Sequence, residues 1–235
     1  MKYLILVMVT LFFNCGALSY VLSQKWSHSF GISAIGSWYS GSSAQRYSSI
    51  NSGTFKAYTN SPYGSLPGAG ISLNYFLQRH LGDRWLLEMG PALQLASTHV
   101  NIIKVSESNG NTQFSAKGNT YLVSTMTGLA VALTRQWSLN QWKLAVSPSF
   151  NLWYIINSKE RGHATTTQGI EYRTNEDRST IKVDLMPGIE LRASKNKFGF
   201  TAGYFHGLNN YLSGYVGGIN TGYLNSLKFG LQFWL

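Results

Sequence analysis

The chain has 235 residues, a formal net charge of +10, one cysteine, 12% charged and 14% aromatic residues. A water-soluble domain usually carries about twice that share of charge, and one cysteine excludes a disulfide framework. Past the N-terminal stretch no apolar run approaches the ~20 residues of a membrane helix, which leaves a membrane β-barrel as the reading and a secreted β-sandwich as its alternative.

Met1-Lys2, an apolar run over 3–13 and a series of small residues up to Ser23 predict a secretory leader, cleaved after Ser23. Lipoprotein processing at Cys15 is the competing reading, and Phe12, Phe13 and Asn14 fit it poorly. The mature part, 24–235, is expected to form a single barrel domain in the outer membrane. An exported basic chain is expected to meet membrane lipids and anionic lipopolysaccharide rather than nucleic acid.

Period-two alternation, one face apolar and the other polar or small, predicts strands. The first covers 25–40, with Trp26, His28, Phe30, Ile32, Ala34 and Trp38 on one face. A long loop, 41–67, rich in Ser, Gly, Asn and Tyr, leads to a second strand over 69–79 and a tight turn at 80–83. The third strand runs 84–103, followed by a loop over 104–118 with Asn109-Gly110-Asn111 as its turn core. The fourth, 120–137, reaches a tight turn at 138–141; the fifth, 142–156, leads into a charged loop over 157–178. The sixth is 180–193, then a tight turn at 194–197, the seventh 198–207, and the last 223–235.

Three tight connections alternate with four long ones. Outer-membrane barrels sort their connections this way, with short periplasmic turns, long outer loops and an even strand count. The predicted fold is therefore an eight-stranded antiparallel up-and-down transmembrane β-barrel with both termini periplasmic. Trp26, Trp85, Trp137, Trp142, Phe198 and Trp234 are expected as a belt at the periplasmic interface, and Trp38, Tyr121, Tyr154 and Tyr223 at the outer one. Pro91, Pro148 and Pro187 fall inside strands, where they cannot donate to a ladder. They are expected to mark bulges.

Eight strands enclose a space that side chains just fill. The predicted inward charges are Glu88, Lys143, Lys182, Asp184, Glu190, Arg192 and Lys228. Paired with one another they would form a plug that fixes register; unpaired and hydrated they would line a narrow ion path. The expected contact surfaces are the loop tyrosines Tyr47, Tyr58 and Tyr63, together with Lys159, Arg161 and Arg173 in the charged loop.

The five histidines lack metal-ligand spacing, so no metal and no cofactor is expected. No phosphate-binding loop or nucleophile elbow is present either. His99, with Ser97 on the same face and Glu107 beyond, is the best candidate for a lipid-modifying site of the lipid A deacylase kind.

The runs Gly70-Ile-Ser-Leu-Asn-Tyr-Phe-Leu77, Trp85-Leu-Leu-Glu-Met-Gly-Pro91, Met186-Pro-Gly-Ile-Glu-Leu191 and Gly203-Tyr-Phe-His-Gly-Leu-Asn-Asn210 resemble the small outer-membrane β-barrel family of Bacteroidota called PorT-like. Gln24, just after the expected cleavage site, fits that family, while the terminal Leu235 departs from its usual Phe. The resemblance implies an outer-membrane location, no catalytic residues and, for the namesake, a part in type IX secretion. The expected function is non-catalytic: a membrane scaffold or loop-mediated binding protein, with another envelope protein as a further partner. A lipid-modifying enzyme and a narrow channel are the alternatives.

Overall fold

The structure is a computed structural model that describes residues 26–53, 56–107, 112–214 and 220–235. The expected leader, 1–23, and the turn core Asn109-Gly110-Asn111 lie outside the described residues. The described strands are β1 (Ser27–Ser40), β2 (Tyr47–Ser52), β3 (Ala57–Thr59), β4 (Leu66–His80), β5 (Trp85–Glu107), β6 (Gln113–Leu139), β7 (Trp142–Thr166), β8 (Glu171–Asp177), β9 (Val183–Lys195), β10 (Phe198–His206) and β11 (Tyr223–Trp234).

Eight of these form a closed antiparallel ring in the order β1, β4, β5, β6, β7, β9, β10, β11. Closure is made by β1 on β11, continuous from Ser29 opposite Trp234 to Ser40 opposite Tyr223. The alternation that predicted strands now has its physical cause. In β11, Leu224, Ser226, Lys228 and Gln232 are buried inside, whereas Leu227, Phe229, Leu231 and Phe233 are exposed on the outer wall. The hairpins Asn140-Gln141 and Asn196-Lys197 are tight because their asparagines adopt positive φ (53° each), which Asn tolerates through its short polar side chain.

Three wall strands are much longer than a membrane requires. A barrel strand crosses in about 9–11 residues, yet β5, β6 and β7 have 23, 27 and 25. Their outer halves form a sheet beyond the ring, widened by β2 (parallel to β5), β3 (on β2) and β8 (on β7). The segments expected as loops at 41–67, 104–118 and 157–178 are thus partly strand. A sheet that is wetted on one side and built from Ser, Thr and Asn shows little of the contrast that marks a lipid-facing strand.

This outer sheet has its own core of Ile50, Val100, Ile102, Val105 and Ala164. In β7 an extra residue, Ile156, sets Asn157 opposite Thr125 and Ile155 opposite Met126. The bulge reverses parity, so Ser158, Glu160 and Ala164 point inward above it, where Ser147, Asn151 and Trp153 do below.

Two expectations need correction. Pro91, Pro148 and Pro187 sit in register opposite Leu129, Ile189 and Phe150, with the bulges elsewhere. Pro91 stands where ladder pairs between β4 and β5 lapse, from Asn74–Ala92 to Leu77–Met89, so its missing N–H falls in an existing gap. Trp234 is not part of the lipid-facing belt at the periplasmic interface. It points into the barrel mouth with its ring against the Arg192 guanidinium, 5.7 Å away. Gly199 leaves room for it: a Cβ there would come 2.7 Å from the Trp234 ring. Gly199→Val is therefore expected to destabilise the barrel by about 1–3 kcal/mol of overpacking strain, read as a lower urea midpoint, whereas Gly36→Ala, with open space around it, is not expected to share that packing penalty.

Candidate functional site

The lumen is layered. Toward the tight-turn end lies a charged network centred on Glu88, which is wholly buried. Arg192 donates to both of its carboxylate oxygens, at 3.1 and 3.0 Å, a bidentate geometry that suits guanidinium and carboxylate. Gln78 Nε2 and the Thr134 hydroxyl also donate to Glu88. Gln78 and Gln232 both reach the Ser29 hydroxyl, at 2.9 and 2.7 Å. The network thereby links six strands of the ring. Glu190 accepts from Arg192 at 3.3 Å.

One layer further out, the Lys228 ammonium lies over the rings of Phe205 (4.5 Å) and Trp153 (5.3 Å). Cation–π contact of this kind stabilises a desolvated ammonium by about 2 kcal/mol. The free space among Phe76, Asn151, Glu190, Arg192, Phe205 and Lys228 is about 20 Å³, enough for roughly one water molecule. The outer third is aromatic: Tyr39 meets Tyr63 and Tyr211 edge-on, at 5.2 and 5.1 Å. Burial, and then the neighbouring Tyr39 and Asp184, raise the Tyr211 hydroxyl well above its ordinary pKa, so it stays neutral.

Five of the seven predicted inward charges take this interior position. Asp184 does so apart from the rest: it is buried at the outer end and accepts from the Asn209 N–H at 3.2 Å. Lys143 and Lys182 do not. Lys143 has inward parity but stands at the tight-turn mouth, exposed, and Lys182 precedes β9 on the opposite rim, also exposed. Neither position has barrel wall on all sides to desolvate it. Gln78, Thr134, Ser29 and Gln232 were missed as network members, although the same parity that selects Glu88 selects them.

The outer sheet is closed by side chains rather than by a ladder. The edges of β3 and β8 face each other across the buried Glu160. The Thr59 N–H and hydroxyl donate to Glu160 at 2.8 and 2.6 Å, and Arg178 Nε donates to its second oxygen at 2.6 Å. A second Arg178 nitrogen bonds the Thr59 carbonyl, and Lys56 pairs with Glu176 at 3.5 Å. The sequence gives little warning of this clasp, because both halves lie in segments that read as loops.

Of the expected contact residues, Tyr47, Tyr58, Arg161 and Arg173 are exposed and Lys159 is half-buried. Tyr63 is the exception: it is buried against Tyr39 and is not available as a contact. Arg161, His163 and Arg173 line a groove of about 500 Å³ with Gly118, Asn119 and Tyr121. Glu171 is the acid beside it, 3.4 Å from Arg173 and 3.8 Å from His163.

His99 does not assemble a catalytic trio. Its Nδ1 lies 3.2 Å from the Pro67 carbonyl and its ring stacks on Tyr121 at 5.3 Å. Among the described residues no group of three His, Cys, Asp or Glu could hold a metal ion.

Residues 23–213 match a family model described as outer membrane protein beta-barrel domain. The chain belongs to this family. It is an outer-membrane β-barrel, and the exposed Leu, Ile and Phe of its wall face lipid. No curated protein matches the sequence. Among solved structures, it is similar to Ail, the attachment invasion locus protein of Yersinia pestis, solved alone and in complex with the heparin analogue sucrose octasulfate (12% identity, TM-score 0.38, covering 90% of this chain and 99% of Ail). It is also similar to Neisserial surface protein A (11% identity, TM-score 0.38, covering 89% and 99%). As an outer-membrane barrel, the protein carries its tight-turn belt as expected: Arg135 lies between Trp85 and Trp137, 5.5 and 5.3 Å from their centroids. The opposite band is looser, since Tyr154 is level with Thr127 whereas Tyr121 lies further out on the same strand, opposite Arg161.

Proposed function

We propose that this barrel is a non-catalytic display scaffold. Processed after Ser23 into one mature domain, with both termini periplasmic, it holds a basic, strand-built surface outside the cell for anionic sugar–phosphate groups such as those of lipopolysaccharide. The observation that carries the reading is the outer sheet. It has its own core and its own clasp, so it presents Tyr47, Tyr58, Lys159, Arg161 and Arg173 on a rigid frame rather than on loose loops. Ordering those side chains in advance lowers the entropic cost of binding. The filled lumen speaks against the channel reading, and the environment of His99 against the lipid-modifying one. Membership of a larger envelope complex, as in type IX secretion, rests on the sequence resemblance and is tested by pull-down from solubilised outer membrane.

The test of the main reading uses the purified barrel in nanodiscs. Arg161→Gln with Arg173→Gln is expected to weaken lipopolysaccharide binding about thirtyfold, given ~1 kcal/mol per basic residue at an anionic surface. Unchanged affinity in the double variant would overturn it, and so would a steady single-channel conductance in planar bilayers. Orientation is read separately. The mature chain has no cysteine, so an impermeant maleimide should label Gln168→Cys, in the β7–β8 turn, on intact cells and leave Gln141→Cys untouched.

A further inference from the structure

The lipid-facing wall is not uniform. Two neighbouring cross-strand rows run Leu144–Ala193–Phe200 and Val146–Leu191–Ala202–Phe229. Large side chains flank a dent wherever alanine occupies the wall. The result is an apolar groove of about 630 Å³, floored by Ala193 and Ala202 and walled by Leu144, Leu191, Phe200 and Phe229. That volume is typical of a built ligand site.

The groove ends at the tight-turn rim beneath two exposed lysines. Lys195 lies two residues beyond Ala193, on the same outward face. Lys197 follows in the same hairpin turn. No acidic residue lies in either turn, over 139–142 or 195–198, and neither lysine is in an ion pair among the described residues. Trp142 and Phe198, both exposed, flank the cluster at the depth where an amphipathic interface begins.

We propose that this groove is a binding site for one anionic phospholipid, its acyl chain in the dent over Ala193 and Ala202 and its phosphate on Lys195 and Lys197. A second copy of the barrel suits the face poorly. A two-fold dimer is self-complementary, and would set one lysine cluster against the other. The choice of a phospholipid over lipopolysaccharide rests on the periplasmic placement of this rim proposed above. The maleimide labelling tests that placement alone. Binding in detergent, where no leaflets exist, tests the site alone.

The test is native mass spectrometry of the full barrel released from detergent that contains equal amounts of phosphatidylglycerol and phosphatidylcholine. The wild-type barrel is expected to retain one phosphatidylglycerol in preference to phosphatidylcholine by about tenfold or more, two lysines acting together. Lys195→Gln/Lys197→Gln should abolish the preference, and Ala202→Phe, which fills the dent, should abolish retention of both lipids. Gel migration of the unboiled protein checks that each variant is folded; if Ala202→Phe is not, the lysine variant decides. Equal retention of the two lipids by the wild type, an unchanged preference in the lysine variant, or a dimer lost in Ala202→Phe would overturn the proposal.

Discussion

Glu88→Ala is expected to destabilise the barrel by about 3–5 kcal/mol, the cost of leaving a buried charge without its partner. Arg192 is almost fully buried and gives two of its bonds to Glu88. It keeps the 3.3 Å contact to Glu190, itself only partly buried, and the face of the Trp234 ring. Gln78 and Thr134 lose an acceptor in the same step and keep only hydroxyl partners, Ser29 for Gln78 and Ser147 for Thr134. Thr134→Ala removes one donor and should cost about 1 kcal/mol. The double variant Glu88→Met/Arg192→Met removes the charges together and should recover much of the loss, since apolar side chains of similar volume often replace a buried ion pair without net cost. Urea unfolding of the barrel refolded in vesicles, followed by gel migration, gives all three values. A loss below about 1 kcal/mol in Glu88→Ala would mean that water reaches Arg192. The filled lumen would then be wrong and the channel reading would return.

Glu88 also marks how far the sequence could be read. Its inward position follows from parity alone: it alternates with Leu87 and Met89, and a side chain that alternates with lipid-facing residues has only the lumen to enter. The same logic recovered the eight ring strands, because lipid on one side and a packed interior on the other make the strongest contrast a strand can carry. Parity says nothing about height. Lys143 has the inward phase but stands at the mouth, and Trp234 has it too and turns from belt to plug. Beyond the membrane the contrast fades. Ser158-Lys159-Glu160 in β7 and Thr174 in β8 read as polar loop, yet they are ordered by a core as small as Ile50, Val100, Ile102, Val105 and Ala164. The bulge at Ile156 hid the rest, because a one-residue insertion moves every later side chain to the other face.

Glu160→Ala is expected to open the outer sheet while the ring stays folded. Glu160 is wholly buried and accepts from three donors in two separate segments: the Thr59 N–H, the Thr59 hydroxyl and Arg178. Removing it leaves the Thr59 N–H unpaired, at about 1–3 kcal/mol, and frees Arg178 from its charged partner. The local loss is thus about 3–5 kcal/mol. β3 has three residues and pairs only with β2. It has no other ladder to hold it, and the Lys56–Glu176 pair is too exposed to substitute. The ring is joined to this region by the long strands β5, β6 and β7, whose pairing does not depend on the clasp, and by the connecting segments after β1, β3 and β8. Hydrogen exchange should therefore accelerate over 47–60 and 171–178, with the ring strands unchanged and the urea midpoint of the barrel nearly so. A protease added to intact vesicles should cut the variant in those same segments. Glu160→Gln, which retains an acceptor oxygen for Thr59 but not the charge for Arg178, should fall between the two. If exchange rises equally in β1 and β11, the outer sheet and the ring are one cooperative unit, and the clasp is a strut of the barrel rather than the closure of a separate platform.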